Sequence, residues 1–329
     1  MPDLSLVAAL LGGLVLLAFA GDFLVSGAMA LAQRLGISPL VAGIFIVGFG
    51  TSAPEMIVAI DAAVKGVPSI ALGNIVGSNI ANVWLVLGIP ALIAPLAAGA
   101  YGERRALVAM LGATALWIGI SAVMPLHSGI GIFFLLLLVA YAVYTFQMTA
   151  RDAAAGVDVG LEEEEPMGWP RTAAYVLIGV VGLPVGAHLI VEGGVGLART
   201  FSVPEEVIGL TLIAIGTSLP EIGAGIAAAL RGRGSVVVGN ILGSNIFNIL
   251  GAGGLVALFA NTGDGPLRVT RTFHAYDHWA MAAAAGLAAA FILRRARITR
   301  LSGVLLLLTY GVYLTGLTQG WDILALMGA

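Results

Sequence analysis

Two glutamates, Glu55 and Glu221, stand in the middle of long apolar runs, each surrounded by small oxygen-bearing residues. Glu55 closes the run Gly50-Thr51-Ser52-Ala53-Pro54-Glu55, and Glu221 closes Gly216-Thr217-Ser218-Leu219-Pro220-Glu221. On a helix, Thr51 and Ser52 lie four and three residues before Glu55, so all three share a face. Thr217, Ser218 and Glu221 repeat that face. Pro54 lacks an N–H and its ring opposes the carbonyl of Gly50, as Pro220 opposes that of Gly216. A helix break is therefore expected at both sites, freeing the carbonyls of Gly48 to Gly50 and of Ala214 to Gly216. Unpaired backbone at membrane depth is tolerated only beside a cavity. Further along, Ser78 and Asn82 are spaced i, i+4, as are Ser244 and Asn248, each pair adding a hydroxyl and an amide oxygen to one stripe. The inventory is carboxylate, hydroxyl, amide and carbonyl oxygen, with neither thiolate nor histidine. Such donor sets select hard cations such as Na⁺, Ca²⁺ or Mg²⁺. Two carboxylates neutralise one divalent or two monovalent ions, and competition for shared ligands would give exchange instead of parallel flow.

The elements that must position these groups are membrane helices. The chain has 329 residues, 59% hydrophobic and 10% charged, with a mean hydropathy of +1.03. A soluble domain needs roughly a quarter of its residues charged, so most of this surface must face lipid. A net charge of −3 offers no basic excess for nucleic acid, and the absence of cysteine excludes disulfides. Ten spans are expected, at 4–31, 37–64, 69–97, 104–124, 128–149, 171–198, 204–230, 236–260, 275–293 and 300–317. The first run is longer than a signal-peptide core and has neither a basic flank nor a cleavage site, so it reads as a retained helix. With the N-terminus outside, eleven arginines fall on the cytoplasmic side, against Lys65, Arg199, Arg268 and Arg271 on the other. The expectation is a multi-pass cell (inner) membrane protein with both termini on the non-cytoplasmic side.

The chain also repeats itself. The two Gly-Thr-Ser runs recur at an offset of 166 residues, as does Gly73-Asn74-Ile75-Val76-Gly77-Ser78-Asn79-Ile80-Ala81-Asn82 in Gly239 to Asn248, with 13 of 16 positions identical. Gly27, Leu31 and Ala32 match Gly193, Leu197 and Ala198 at the same offset. Five spans per half is an odd number, so the second half enters the membrane from the opposite side and the motifs meet about an axis in the membrane plane. The fold class is thus all-α and polytopic, ten transmembrane helices in two inverted five-helix repeats. Its parts are 1–150, an acidic cytoplasmic linker over 151–170 carrying Glu162 to Glu165, and 171–329. Gly73, Gly77, Gly239 and Gly243 read chiefly as packing residues that let helices approach closely.

With these motifs the chain resembles the cation/calcium antiporter superfamily, specifically prokaryotic sodium/calcium exchangers. The resemblance covers essentially the whole chain and rests on G-T-S-x-P-E followed by G-N-x-x-G-S-N-I, both present twice. It implies an antiporter exchanging Ca²⁺ against Na⁺ by alternating access, with cation sites at the centre of the second, third, seventh and eighth spans. By position, Glu55 and Glu221 would be the principal ligands, and Ser52, Ser218, Thr51 and Thr217 would add oxygens. Ser78, Ser244, Asn82 and Asn248 would line flanking sites, completed by the Gly48 and Ala214 carbonyls. In such proteins the first and sixth helices are thought to slide across the core. One position departs: family members of this type usually carry Asp where this chain has Asn248. Two core carboxylates remain, which makes an H⁺-coupled divalent-cation exchanger the alternative. The transported ions are the only small molecules implied; no cofactor and no obligatory protein partner are expected besides the lipid bilayer.

A channel is the competing reading on ligands alone. An intramembrane hydrolase has no support, since neither G-x-S-x-G nor H-E-x-x-H is present. Asp22, Asp61, His188, Glu192, Asp277 and His278 read as interfacial or helix-packing residues, with Asp22 and Glu192 candidates for access routes. Trp169, Tyr175, Trp279, Tyr310 and Trp321 suit aromatic belts.

Overall fold

The computed structural model describes residues 4–65, 68–158, 167–202, 214–259, 267–271 and 273–326. Its long helices are α1 (Leu4–Leu35), α2 (Pro39–Val64), α3 (Ile70–Ile93), α4 (Glu103–Val123), α5 (Ser128–Ala154) and α6 (Trp169–Thr200). The shorter α7 (Leu219–Leu230) is followed by α8 (Gly234–Phe259), α9 (Phe273–Leu293) and α10 (Arg300–Gln319). Among the described residues nine of these are long and apolar enough to cross a membrane. The expected seventh span, 204–230, is described only from Ala214 onward. Glu162 to Glu165 lie outside the described residues, and the linker around them is flanked by helix to Ala154 and from Trp169.

Burial sorts the helices. α3 and α8 are the most enclosed spans, while α1, α5, α6 and α10 turn Leu14, Leu136, Leu177 and Leu305 outward, as side chains do against lipid. α1 and α6 lie along each other through glycines. A Cβ on Gly13 would stand 2.8 Å from the Gly186 carbonyl oxygen, and one on Gly179 2.3 Å from the Leu24 Cβ. α2 crosses α8 as closely, since a Cβ on Gly239 would meet the Leu40 carbonyl oxygen at 2.5 Å. Without a hydrophobic drive inside lipid, this van der Waals contact between backbones is a main source of cohesion.

The two prolines act differently. In the second half the expected break is present: a turn at Ala214–Gly216 ends, and α7 restarts at Leu219 with Pro220 in its first turn. There a missing N–H leaves no carbonyl unsatisfied. In the first half the break expected at Pro54 is absent, and helix runs unbroken from Phe49 to Val64. The irregularity sits upstream, as a wide π-helical stretch at Gly43–Gly48. Two more such stretches, Asn82–Val86 in α3 and Phe247–Ala252 in α8, occupy equivalent places in the halves, and such widenings are frequent at functional sites.

Candidate cation site

The signature segments of α2, α3, α7 and α8 meet in the protein interior. Thr51, Ser52, Glu55, Ser78, Asn82, Ser218, Glu221, Ser244 and Asn248 are all buried, and Thr217 is half-buried. The pseudo-two-fold relation shows in the hydrogen bonds. Asn74 Nδ2 donates to the Glu55 carbonyl at 2.8 Å, and Asn240 Nδ2 to the Glu221 carbonyl at 3.5 Å. Each asparagine holds the backbone of the glutamate nineteen residues before it, so the second motif fixes the first.

The two halves are joined directly. Ser52 Oγ donates to Glu221 Oε1 at 2.9 Å. Thr51 Oγ1 donates to the Gly48 carbonyl and to Asn240 Oδ1, each at 3.3 Å. The Ser244 hydroxyl lies 3.4 Å from the same two acceptors. Asn82 Nδ2 reaches Asn245 Oδ1 at 3.0 Å.

Several oxygens remain without a donor. Glu55 Oε2, Glu221 Oε2, Asn248 Oδ1 and Asn79 Oδ1 are buried and accept no hydrogen bond. An unpaired buried polar atom is costly, and a carboxylate far more so. Among the described residues, no basic side chain is paired with either glutamate. Acceptor-only oxygens on neutral and acidic groups, without a cationic side chain, form a binding set for a cation. Glu221 also lies in the first turn of α7, whose N-terminus favours negative charge, whereas Glu55 lies inside a continuous helix.

The site is open on one face. A cavity of about 480 Å³ is lined there by Asn74, Gly77, Ser78, Thr217 and Ser218. Their repeat mates Asn240, Gly243, Ser244, Thr51 and Ser52 form the opposite, closed face. The glycines show the difference plainly. A Cβ on Gly243 would stand 2.7 Å from the Ile44 backbone, whereas one on Gly77 would meet nothing within 4 Å. The packing role expected of all four motif glycines therefore holds for Gly239 and Gly243, and not for Gly73 and Gly77, which face the cavity.

The expected ligands are thus gathered in one place, with two reservations of position. The Gly48 carbonyl is engaged by the Thr51 and Ser244 hydroxyls. Ala214 opens the turn before Thr217, and its side chain lies outside the described residues. Sequence reasoning passed over Asn74, Asn79, Asn240 and Asn245, although their exact repetition at 166 residues was a signal. It also assigned Tyr310 to an aromatic belt, whereas Tyr310 is buried and lines the cavity, as does Asp277. Asp277 accepts the helix-packing bond foreseen for it, from the Tyr313 hydroxyl at 2.9 Å. Asp61 pairs with Lys65 on the surface, and His188 lies 3.8 Å from Glu192, both exposed. Asp22 pairs with Arg231 at 2.6 Å and lines a second crevice, of about 460 Å³, between α1 and α7.

An all-helical polytopic fold with an oxygen-lined interior site defines a class, the secondary transporters. Comparison with known proteins narrows it: this chain belongs to the sodium/calcium exchanger protein family, whose profile matches residues 5–147 and 172–319. These are transporters, not enzymes. The chain is 35% identical over 272 residues to the inner membrane protein YrbG of Escherichia coli, covering 81% of this chain and 83% of that one. It is 30% identical over 341 residues to the sodium/calcium exchanger MaX1 of Methanosarcina acetivorans, covering 93% and 96%. Its fold matches the sodium-calcium exchanger NCX_Mj, soaked without Na⁺ and Ca²⁺, with a TM-score of 0.81 and 29% identity over 96% of this chain and all of the other.

Proposed function

We propose that the chain exchanges Ca²⁺ for Na⁺ across the membrane, alternating access to a site built on Glu55 and Glu221. The observation that carries this reading is the set of buried, donor-free oxygens on Glu55, Glu221, Asn79 and Asn248 beside a cavity of about 480 Å³. Thr51, Thr217, Ser52, Ser218, Ser78, Ser244 and Asn82, with the Gly48 and Ala214 carbonyls, supply the remaining oxygens. That MaX1 and NCX_Mj are both named sodium/calcium exchangers supports the choice of ions.

Inverted repeats supply the mechanism. The open face around Ser78 and Ser218 and the closed face around Ser244 and Ser52 carry the same residues, so interchanging their environments would expose the site to the other side. The arginine excess in alternate loops supports both termini lying outside the cytoplasm, an orientation in which the cavity, beside the α3 and α9 N-termini, opens outward. Residues 1–150 and 171–329 are the two repeats, joined by the cytoplasmic linker 151–170.

Asn248 favours a second reading of the driving ion. An amide offers an oxygen but does not ionise. Two carboxylates then balance one Ca²⁺ against two Na⁺, or against two H⁺, and exchange is nearly electroneutral. Purified protein in Na⁺-filled vesicles, diluted into Na⁺-free buffer, should take up ⁴⁵Ca²⁺. Uptake driven by a pH gradient and indifferent to Na⁺ would assign the proton-coupled alternative; passive Ca²⁺ flux without counterflow would make the chain a channel.

A further inference from the structure

The cavity has a second polar wall that the exchange site does not use. Opposite Asn74 and Ser78 it is lined by Asp277 of α9 and by Tyr310 and Tyr313 of α10. Asp277 is the one carboxylate among its lining residues, which are otherwise apolar or neutral.

A structural role does not account for this carboxylate. Asp277 Oδ1 accepts from the Tyr313 hydroxyl at 2.9 Å, a bond that an asparagine would keep. Yet Asp277 is 4% exposed, and burying a carboxylate with only a phenol for company is unfavourable. The nearest arginine along the chain, Arg271, is exposed and faces Asp322 at 4.0 Å, while the neighbouring His278 turns its ring to His274, Nδ1 to Nδ1 at 3.1 Å. Tyr313 is itself held firmly: it stacks on Tyr276 with centroids 5.6 Å apart, and the Tyr276 hydroxyl donates to its carbonyl at 2.9 Å. One oxygen of Asp277 is thus fixed by a rigid donor.

We infer that Asp277 is a recruitment site for hard cations, capturing them in the cavity before they pass to Glu55 and Glu221. This rests on the exchange reading above and adds a residue to it. A low-dielectric cleft with one negative charge raises the local concentration of cations. Capture there offsets part of the dehydration a cation undergoes on entering an apolar-walled cavity. The site serves the side on which this cavity lies.

The test is sided. In vesicles of defined orientation, Asp277→Asn should raise half-saturating Ca²⁺ about five- to tenfold on the cavity side, with the opposite side and the maximal rate unchanged. Asp277→Glu should restore wild-type behaviour. Tyr313→Phe, which frees the carboxylate without removing it, should shift the same side by a smaller factor and serves if Asp277→Asn does not fold. No shift, or equal shifts on both sides, would overturn the inference and leave the exchange reading standing. Wild-type protein that neither binds nor moves ⁴⁵Ca²⁺ would overturn both.

Discussion

Ser52 and Glu221, from different halves of the chain, are joined by a 2.9 Å hydrogen bond in which the serine donates. It is the direct side-chain tie between the first motif and the opposite carboxylate. Ser52→Ala would leave both Glu221 oxygens without that donor, at a cost of about 1.5–3 kcal/mol for a bond to a charged group. Cation-free protein should unfold at lower temperature, and saturating Ca²⁺ should recover much of the difference. Ser218, on the open face, makes no such bond among those described, so Ser218→Ala should change cation-free stability far less. Paired thermal unfolding curves decide it.

Replacing either glutamate removes half of the site's charge. Glu55→Gln and Glu221→Gln keep shape and relieve the burial of a carboxylate, so both variants should be at least as heat-stable as the parent without Ca²⁺. Both should lose ⁴⁵Ca²⁺ uptake and the thermal shift that Ca²⁺ confers. Retention of full uptake by either variant would displace that residue from the site.

Gly77 and Gly243 occupy equivalent positions in opposite surroundings. A methyl at Gly77 fits the cavity face as it stands but would collide once that face closed as its mate has. Gly77→Ala should hold the protein with the cavity open, and Gly243→Ala should drive it the other way. The chain has no cysteine, so a single Ala81→Cys in the cavity wall reports directly. Maleimide labelling should be preserved in Gly77→Ala, with turnover lost, and slowed in Gly243→Ala.

Asn248→Asp would bring the core to three carboxylates. If exchange by the parent moves two charges each way, the variant should take an additional monovalent ion per cycle. Uptake would then respond to an imposed membrane potential, whereas the parent's would not. A parent current that scales with transport contradicts two-for-two balance.

Much of this was legible in the residues themselves. The gapless offset between Glu55 and Glu221 carried the inverted topology, because an odd span count follows from hydropathy alone. What sequence could not reveal is where the repeats differ. Pro54 and Pro220 sit in the same motif, yet only the second breaks its helix, because tertiary surroundings select between a π-widened and a restarted helix. Likewise Gly77 and Gly243 read identically and pack oppositely. Asp277 was legible only as an interfacial or helix-packing residue, because a lone acid near a span end carries no sign of the cavity beside it.

The length of the outer pair has one more consequence. α1 and α6 are 32 residues each, about 48 Å at 1.5 Å per residue, against a hydrocarbon thickness of about 30 Å. Their glycine-lined contact holds them together as one slat, and so long a slat fits the bilayer only by leaning. Thicker lipid would draw it upright and thinner lipid would lay it flatter. The acyl chains around this protein are therefore a mechanical input to whichever helices carry the transition between its two faces.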